Sequence, residues 1–491
     1  MSGMKFNIPH AGTTRKISGV IIAFVIGIVF LVISFIFMGN GINLLWLIPP
    51  ALICFLVAII SIEKFLLVTV FFVPLSVQLR FIIPDVSADI FLPTELMLPV
   101  MLLLVLFKAL VTREMDRRIF AHPVTLIGFC ILGWSLLTSF TGTMILVSLK
   151  SVATRLWFFA GFYLLAVEIF KRRERIEEYF RAYIAGMIPV VIYFVINMWH
   201  SGLFDQKATF RAVRPFFNDH TAIGASLAFC IPVILFLIIK KGRGGFSRFI
   251  FFLILLLFSF AFVLSYSRAA WLSLAVASMV ALVLALKISW KILVPLTGIL
   301  VVAIIASWSS LVLSFNENRQ ASSGNLSRHL RSISNISTDD SNMERINRWK
   351  SALRMSAEKP LFGWGPATYQ FIYAPYQIAS EKTAISTNYG EGGNAHSEYL
   401  GALADMGIPG MVLYIVLVIA ILYHAIILYN RTGDRQSALL LLTLITGLMT
   451  YIVHGALNNF LDTDKISALL WGMVAAVVSL DIEFRSRKEK I

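Results

Sequence analysis

Long apolar runs separated by short polar punctuation fill almost the whole chain. A helix that crosses a bilayer needs about 20 mostly apolar residues. Runs of that kind fall at 18–38, 42–62, 65–79, 94–111, 122–140, 152–170, 182–199, 221–239, 249–266, 270–286, 292–313, 407–429, 437–457 and 464–481. They predict an all-α fold, a polytopic transmembrane helical bundle of about 12–14 spans. The run 65–79 is short and contains Pro74, and 249–266 and 270–286 leave almost no turn between them. One hydrophilic excursion breaks the pattern. The chain therefore divides into N-terminal transmembrane helices over 1–313, a large outer loop over 314–406, and C-terminal transmembrane helices with a tail over 407–491.

Within the loop, 315–341 is rich in Ser, Asn and Arg and reads as flexible. Residues 342–357 predict a helix with Ile346, Trp349, Leu353 and Met355 partly on one face, ended by Pro360. Gly363-Trp364-Gly365-Pro366 predicts a tight turn. A Gly-rich piece over 390–393 precedes a short helix beginning near His396, after which Gly407 and Pro409 lead into the next span.

Composition agrees with the pattern. The chain is 58% hydrophobic and 14% charged, with a mean hydropathy of +0.81. A water-soluble domain needs more charge than that to cover its surface, so lipid covers the excess. Cys54, Cys130 and Cys230 all lie in apolar runs and suggest neither a disulfide framework nor a metal site. A net charge of +15 would suggest nucleic acid in a soluble protein. Here the basic residues collect instead in alternate short loops: Lys108-Arg113-Arg117-Arg118, Lys171-Arg172-Arg173-Arg175, Lys240-Lys241-Arg243-Arg248 and Arg485-Arg487-Lys488-Lys490. The positive-inside rule makes those loops and both termini cytoplasmic and the 314–406 loop external. Lys5, Arg15 and Lys16 precede the run 18–38, which is too long for a signal-peptide core and reads as a retained first helix.

The remaining cations gather on the outer face. Lys150 and Arg155 stand at the outer start of a span, Arg211 and Arg214 in the loop before another, and Arg268 in Ser265-Tyr266-Ser267-Arg268 between two more. Isolated boundary cations usually snorkel to headgroups. Several together, in a chain with few charges, point to an anionic ligand at the membrane surface, and guanidinium suits phosphate oxygens. His396 follows the glycines. Its place near a helix start favours the neutral imidazole, which can act as a general base. Asp219 reads as a helix N-cap. The outer histidines His200, His220, His329 and His396 lack ligand spacing, so no metal is expected. Acidic residues are nearly absent from the predicted spans, which argues against an ion-coupled transporter.

Four segments together resemble the bacterial O-antigen ligase and polysaccharide polymerase superfamily of membrane glycosyltransferases. They are Phe216-Phe217-Asn218-Asp219-His220-Thr221, Tyr266-Ser267-Arg268-Ala269-Ala270-Trp271, Arg345 to Gly365, and His396-Ser397-Glu398-Tyr399-Leu400 with Asp405-Met406-Gly407-Ile408-Pro409-Gly410. The family often carries Glu where Asp405 stands. The resemblance covers roughly 140–480. It implies a bacterial inner-membrane enzyme whose active site faces the periplasm and which works without cofactor or metal. The implied donor is a glycan on undecaprenyl diphosphate and the implied acceptor a hydroxyl of lipid A–core, or of another glycan in a polymerase. Membrane lipids are the remaining partners, and nucleic acid is not one. Inverting transfer would then use His396 as base, with Arg211, Arg214 and Arg268 on the departing diphosphate and Lys150 and Arg155 as further contacts. A lipid-linked glycan flippase is the competing class; it would show paired polar residues deep in the helices and an inverted repeat. A loop that only binds partners is a third class.

Overall fold

A computed structural model describes residues 61–81, 91–288, 340–383, 386 and 393–488. The chain divides into two units, 1–65 and 66–491, and apart from the first four residues of α1 the second holds everything discussed below. Its helices are α1 (Ile62–Phe72), α2 (Thr94–Val111), α3 (Pro123–Thr141), α4 (Ile145–Ile169), α5 (Arg173–Ser201), α6 (Gln206–Ala212), α7 (His220–Ile239), α8 (Gly245–Leu264), α9 (Arg268–Ala285), α10 (Asp340–Glu358), α11 (Glu398–Arg431), α12 (Arg435–His454) and α13 (Asp464–Lys488). A two-residue antiparallel ladder, Val77↔Leu92 and Gln78↔Phe91, is the one strand pair among the described residues.

Ten of these helices, α2–α5, α7–α9 and α11–α13, are long and apolar enough to cross a membrane. The protein is a polytopic helical bundle, and the ten coincide with ten of the predicted runs. The run 65–79 does not become a span. It yields α1, 11 residues long, which rises about 16 Å against the roughly 30 Å a bilayer core requires. Pro74 lies just beyond its end. The runs 18–38 and 292–313, and nearly all of 42–62, lie outside the described residues. The disputed boundary between 249–266 and 270–286 resolves as two helices. Tyr266 takes φ 48°, and the Ser267 hydroxyl caps α9 by accepting from Ala270 N at 3.3 Å. The predicted start at 152 moves to Ile145, so Lys150 and Arg155 sit within α4 rather than at its edge.

Burial separates the helices by role. α7 and α13 are buried along most of their length, whereas α8 and α9 are buried over less than a quarter of theirs and present Phe and Leu outward on α8 and Leu on α9, as a lipid-facing surface requires. Phenol hydroxyls tie α5 to the central α13. Tyr179 Oη donates to Ala468 O at 2.8 Å and Tyr183 Oη to Lys465 O at 3.1 Å. Inter-helix hydrogen bonds of this kind add to packing where the hydrophobic effect between helices is weak.

The long helix α11 is two pieces. Gly407 interrupts it with φ 70°, ψ −173°. A Cβ at that position would stand 2.2 Å from Leu361 O, so a side chain is excluded both by backbone conformation and by space. The break lets the preceding turn bind the helix backbone, with Ile408 N donating to Pro360 O at 2.8 Å. Trp134 Nε1 of α3 donates to Met406 O at 2.8 Å and grips the same bend from the other side.

Candidate active site

A platform grows from α10 and the upper piece of α11. Ala352, Met355, Tyr369, Tyr373, Ala395 and Ala404 form its buried cluster. The 360–369 turn is bolted to α11 through Trp364 N to Ala404 O at 3.0 Å and Gly365 N to Asp405 O at 2.8 Å. The Asp405 carboxylate accepts from Ala367 N at 2.9 Å and Tyr369 N at 3.0 Å. A second clasp joins the loop that follows α12. The Glu398 carboxylate accepts from Phe460 N at 2.8 Å, Leu461 N at 3.0 Å and the Tyr451 hydroxyl. These two carboxylates are the means by which three separate loops meet at one place.

His396 occupies that meeting point. Its φ of 49° lies in the left-handed region, uncommon for a residue with a side chain and found where surroundings over-determine it. The surroundings here are explicit. His396 N donates to Asn394 Oδ1 at 3.1 Å, and His396 O accepts from Trp349 Nε1 at 3.1 Å. Ser397, next in the chain, caps α11 by accepting from Leu400 N at 3.4 Å. The imidazole Nδ1 stands 3.4 Å from Asn458 Oδ1. Burial pushes the imidazole down to about 4, with the Arg348 and Arg345 charges acting the same way against weaker opposition from Asn458 and Asp219. The ring is therefore neutral at ordinary pH.

Arg348 is its buried cationic neighbour. Nε donates to Glu344 Oε1 at 2.7 Å, one turn earlier on α10, and a second nitrogen donates to Asn394 O at 3.1 Å. The guanidinium lies over the Tyr373 ring at 5.2 Å. Gly393 makes this possible, since a Cβ there would fall 1.9 Å from an Arg348 nitrogen. Burial raises the Glu344 carboxyl, but hydrogen bonds from Ser386 and Arg348 outweigh it and hold the group below the usual carboxylate range.

These groups face a chamber of about 480 Å³ whose walls include His396, Arg348, Asp219, Asp405, Asp462 and Lys465. Lys465 reaches it from the first turn of α13, donating to Ser76 Oγ at 2.6 Å and lying over the Phe91 ring at 4.6 Å. A smaller, more apolar slot of about 100 Å³ adjoins it, lined by Phe158, Phe159, Leu417 and Trp471 with Arg155 and Glu398. Gly401, Asp405, Asn459 and Asp462 line both spaces.

The residues singled out from sequence are distributed unevenly around this geometry. His396 is in the chamber wall, and Arg155 is in the wall of the slot, 3.6 Å from Asp462 Oδ1. Arg211 and Arg214 are exposed, on the stretch of chain just before the chamber-lining Phe216, Phe217, Asn218 and Asp219. Arg268 begins α9, and Lys150 is exposed on α4; neither is among the residues lining the two spaces. Asp219 does cap α7, its Oδ1 accepting from Thr221 N at 3.0 Å. Arg348, Asn458, Asp462 and Lys465 also line or adjoin the chamber and are not among the residues singled out from sequence. Arg348 carried one usable signal, a Glu four residues earlier on a predicted helix, a spacing that pairs charges. The polar Asn458-Asn459 pair between two apolar runs carried another.

Acidic groups in the spans also turn out to be present but terminal. Glu398, Asp405, Asp464 and Asp481 all lie toward helix ends. Asp481 belongs to a second imidazole cluster at the far end of α11. Its Oδ2 is 3.1 Å from His122 Nε2, 3.2 Å from His424 Nδ1 and 2.8 Å from Arg485. Three such groups within 4.8 Å have metal-binding spacing. Yet His122 Nδ1 accepts from Val124 N at 3.3 Å, which puts the ring proton on Nε2. In that tautomer Nε2 donates to Asp481 and has no lone pair to offer a metal.

The model of a family described as O-antigen ligase matches residues 253–415, about a third of the chain. The matched stretch runs from α8 into the lower piece of α11 and takes in Arg268, Arg348 and His396. No curated protein matches the chain.

Proposed function

We propose, from the segment that matches the O-antigen ligase family model, that this membrane protein transfers a glycan from undecaprenyl diphosphate to an acceptor hydroxyl, as an O-antigen ligase acting on lipid A–core. The observation that carries the proposal is His396, a neutral imidazole in the wall of a chamber large enough for sugar rings and edged by buried cations. The acceptor oxygen attacks the anomeric carbon while its proton passes to His396. The bond from that carbon to the diphosphate breaks on the opposite face, and the electron pair leaves with undecaprenyl diphosphate. The configuration inverts. Cations suit a leaving group that gains negative charge as the bond stretches. Arg211, Arg214 and Arg268, with Lys150 and Arg155, hold the diphosphate in this reading, and Arg348 and Lys465 add to them from the chamber wall. The chamber opens to the periplasm and the protein resides in the inner membrane, as the distribution of basic loops favours.

Purified protein supplied with lipid-linked glycan and candidate acceptors tests this directly. Long glycan joined to lipid A–core supports ligation. Glycan extended on the carrier itself supports polymerisation, the alternative within the same superfamily. Donor moved between leaflets with no new bond would instead make the protein a flippase and overturn the reading.

A further inference from the structure

A base needs its lone pair on the side where the proton arrives, and an imidazole has two nitrogens of which only one is bare when the ring is neutral. The partner of the other nitrogen decides which. At His396 that partner is a side-chain amide. Asn458 is 2% exposed and sits in the turn that follows α12. Its Oδ1 is 3.4 Å from His396 Nδ1, and its Nδ2 is 3.2 Å from His454 Nε2. An amide nitrogen only donates and an amide oxygen only accepts. Read along the chain, His454 Nε2 accepts from Asn458, and Asn458 accepts from His396 Nδ1.

We propose that Asn458 is a positioning residue that holds His396 as the Nδ1–H tautomer, so that Nε2 is the nitrogen that takes the acceptor's proton, with His454 setting the direction of the amide. The proposal rests on the glycosyl-transfer reading for its consequence but not for its geometry. Without such a partner, neutral imidazole in water favours the opposite tautomer. The amide is neutral, so it orients the ring without adding charge. The charged and titratable groups facing the ring from the surrounding elements are Arg345 and Arg348 on α10, Asp219 at the head of α7 and His454 on α12. A carboxylate at position 458 would bring the missing anion.

Two measurements test the relay separately from the reaction. In detergent- or nanodisc-held protein labelled with ¹⁵N-histidine, with the His396→Ala protein assigning the signal, His396 should show a protonated Nδ1 and a bare Nε2. A protonated Nε2 there overturns the proposal whatever the protein catalyses. In the transfer assay, Asn458→Ala should lower kcat about tenfold with KM little changed. Asn458→Asp should keep transfer at high pH while moving the acid limb of kcat/KM upward by about one pH unit. Both variants with unaltered kcat and pH profile overturn it. Should the labelled spectrum hold and no variant, His396→Ala included, alter transfer, the tautomer stands and the catalytic reading falls.

Discussion

The two ends of α11 each carry imidazoles, and they are built in opposite ways. At one end His122 and His424 converge with Arg485 on a single oxygen of Asp481, so both rings bond to a carboxylate that a guanidinium also holds. At the other, His396 leans on a neutral amide and looks into a chamber of about 480 Å³. The contrast separates an imidazole that holds helices together from one left able to accept a proton. The carboxylate partner spends the ring's hydrogen-bonding capacity on structure. The amide partner orients the ring and leaves its remaining nitrogen available.

The sharpest way to break this comparison is to remove each imidazole in turn. His396→Ala should cut glycan transfer by about 10²–10⁴-fold, the usual contribution of a general base, in protein that still inserts and resists proteolysis normally. Normal product from a well-expressed variant would end the argument. Next in size is Arg348→Met. It strands Glu344 as a buried, unpaired carboxylate, since the two side chains are only 7% and 4% exposed. A loss of about 3 kcal/mol in thermal or denaturant unfolding should accompany reduced transfer. Asp481→Asn probes the opposite end. Stability should fall by about 1–2 kcal/mol as one acceptor loses its charge against three partners. Turnover per folded molecule should be unchanged, and a drop in turnover would mean that the two ends communicate.

The smallest effect is in pH. Because the His396 ring is pushed down to about 4, the acid limb of kcat/KM should lie well below the ordinary histidine value of 6.5. The same shift has a stability counterpart with a definite sign. The unfolded chain binds the proton first, so this contribution to stability is complete above 6.5 and drains away as pH falls toward 4. A limb centred near 6.5 would show that His396 is solvated like any surface histidine.

Much of the bundle was legible beforehand because a bilayer imposes one length on every span. Ten of the apolar runs are helices of that length, and the run at 65–79 failed where Pro74 intervened. The 34 residues of α11 were read as a short helix and a separate span. That division has a physical basis in Gly407, although the helix resumes at once after the bend. His396 was legible because glycines and a histidine beside a predicted helix start are a local pattern. Lys465 was not, and the polar Asn458-Asn459 pair marked a place without a role, because their importance comes from the approach of α12 and α13 to loops distant in sequence. No window along the chain records that approach. The outer arginines illustrate the converse. Charge distribution gives an expected side of the membrane but not whether a cation lines the chamber, and Arg211, Arg214, Arg268 and Lys150 are not among its lining residues.

The bend at Gly407 has a mechanical consequence. Membranes differ in thickness by several ångströms, and a spanning helix accommodates the difference chiefly by tilting. The lower piece of α11 is anchored in the bilayer, while the upper piece is pinned by backbone hydrogen bonds from the 360–369 turn and by the Glu398 clasp. A residue without helical geometry joins them. The bend itself is held from both sides, by Trp134 Nε1 on Met406 O and by Ile408 N on Pro360 O, so a tilt of the membrane-bound piece is passed on to the platform beneath His396.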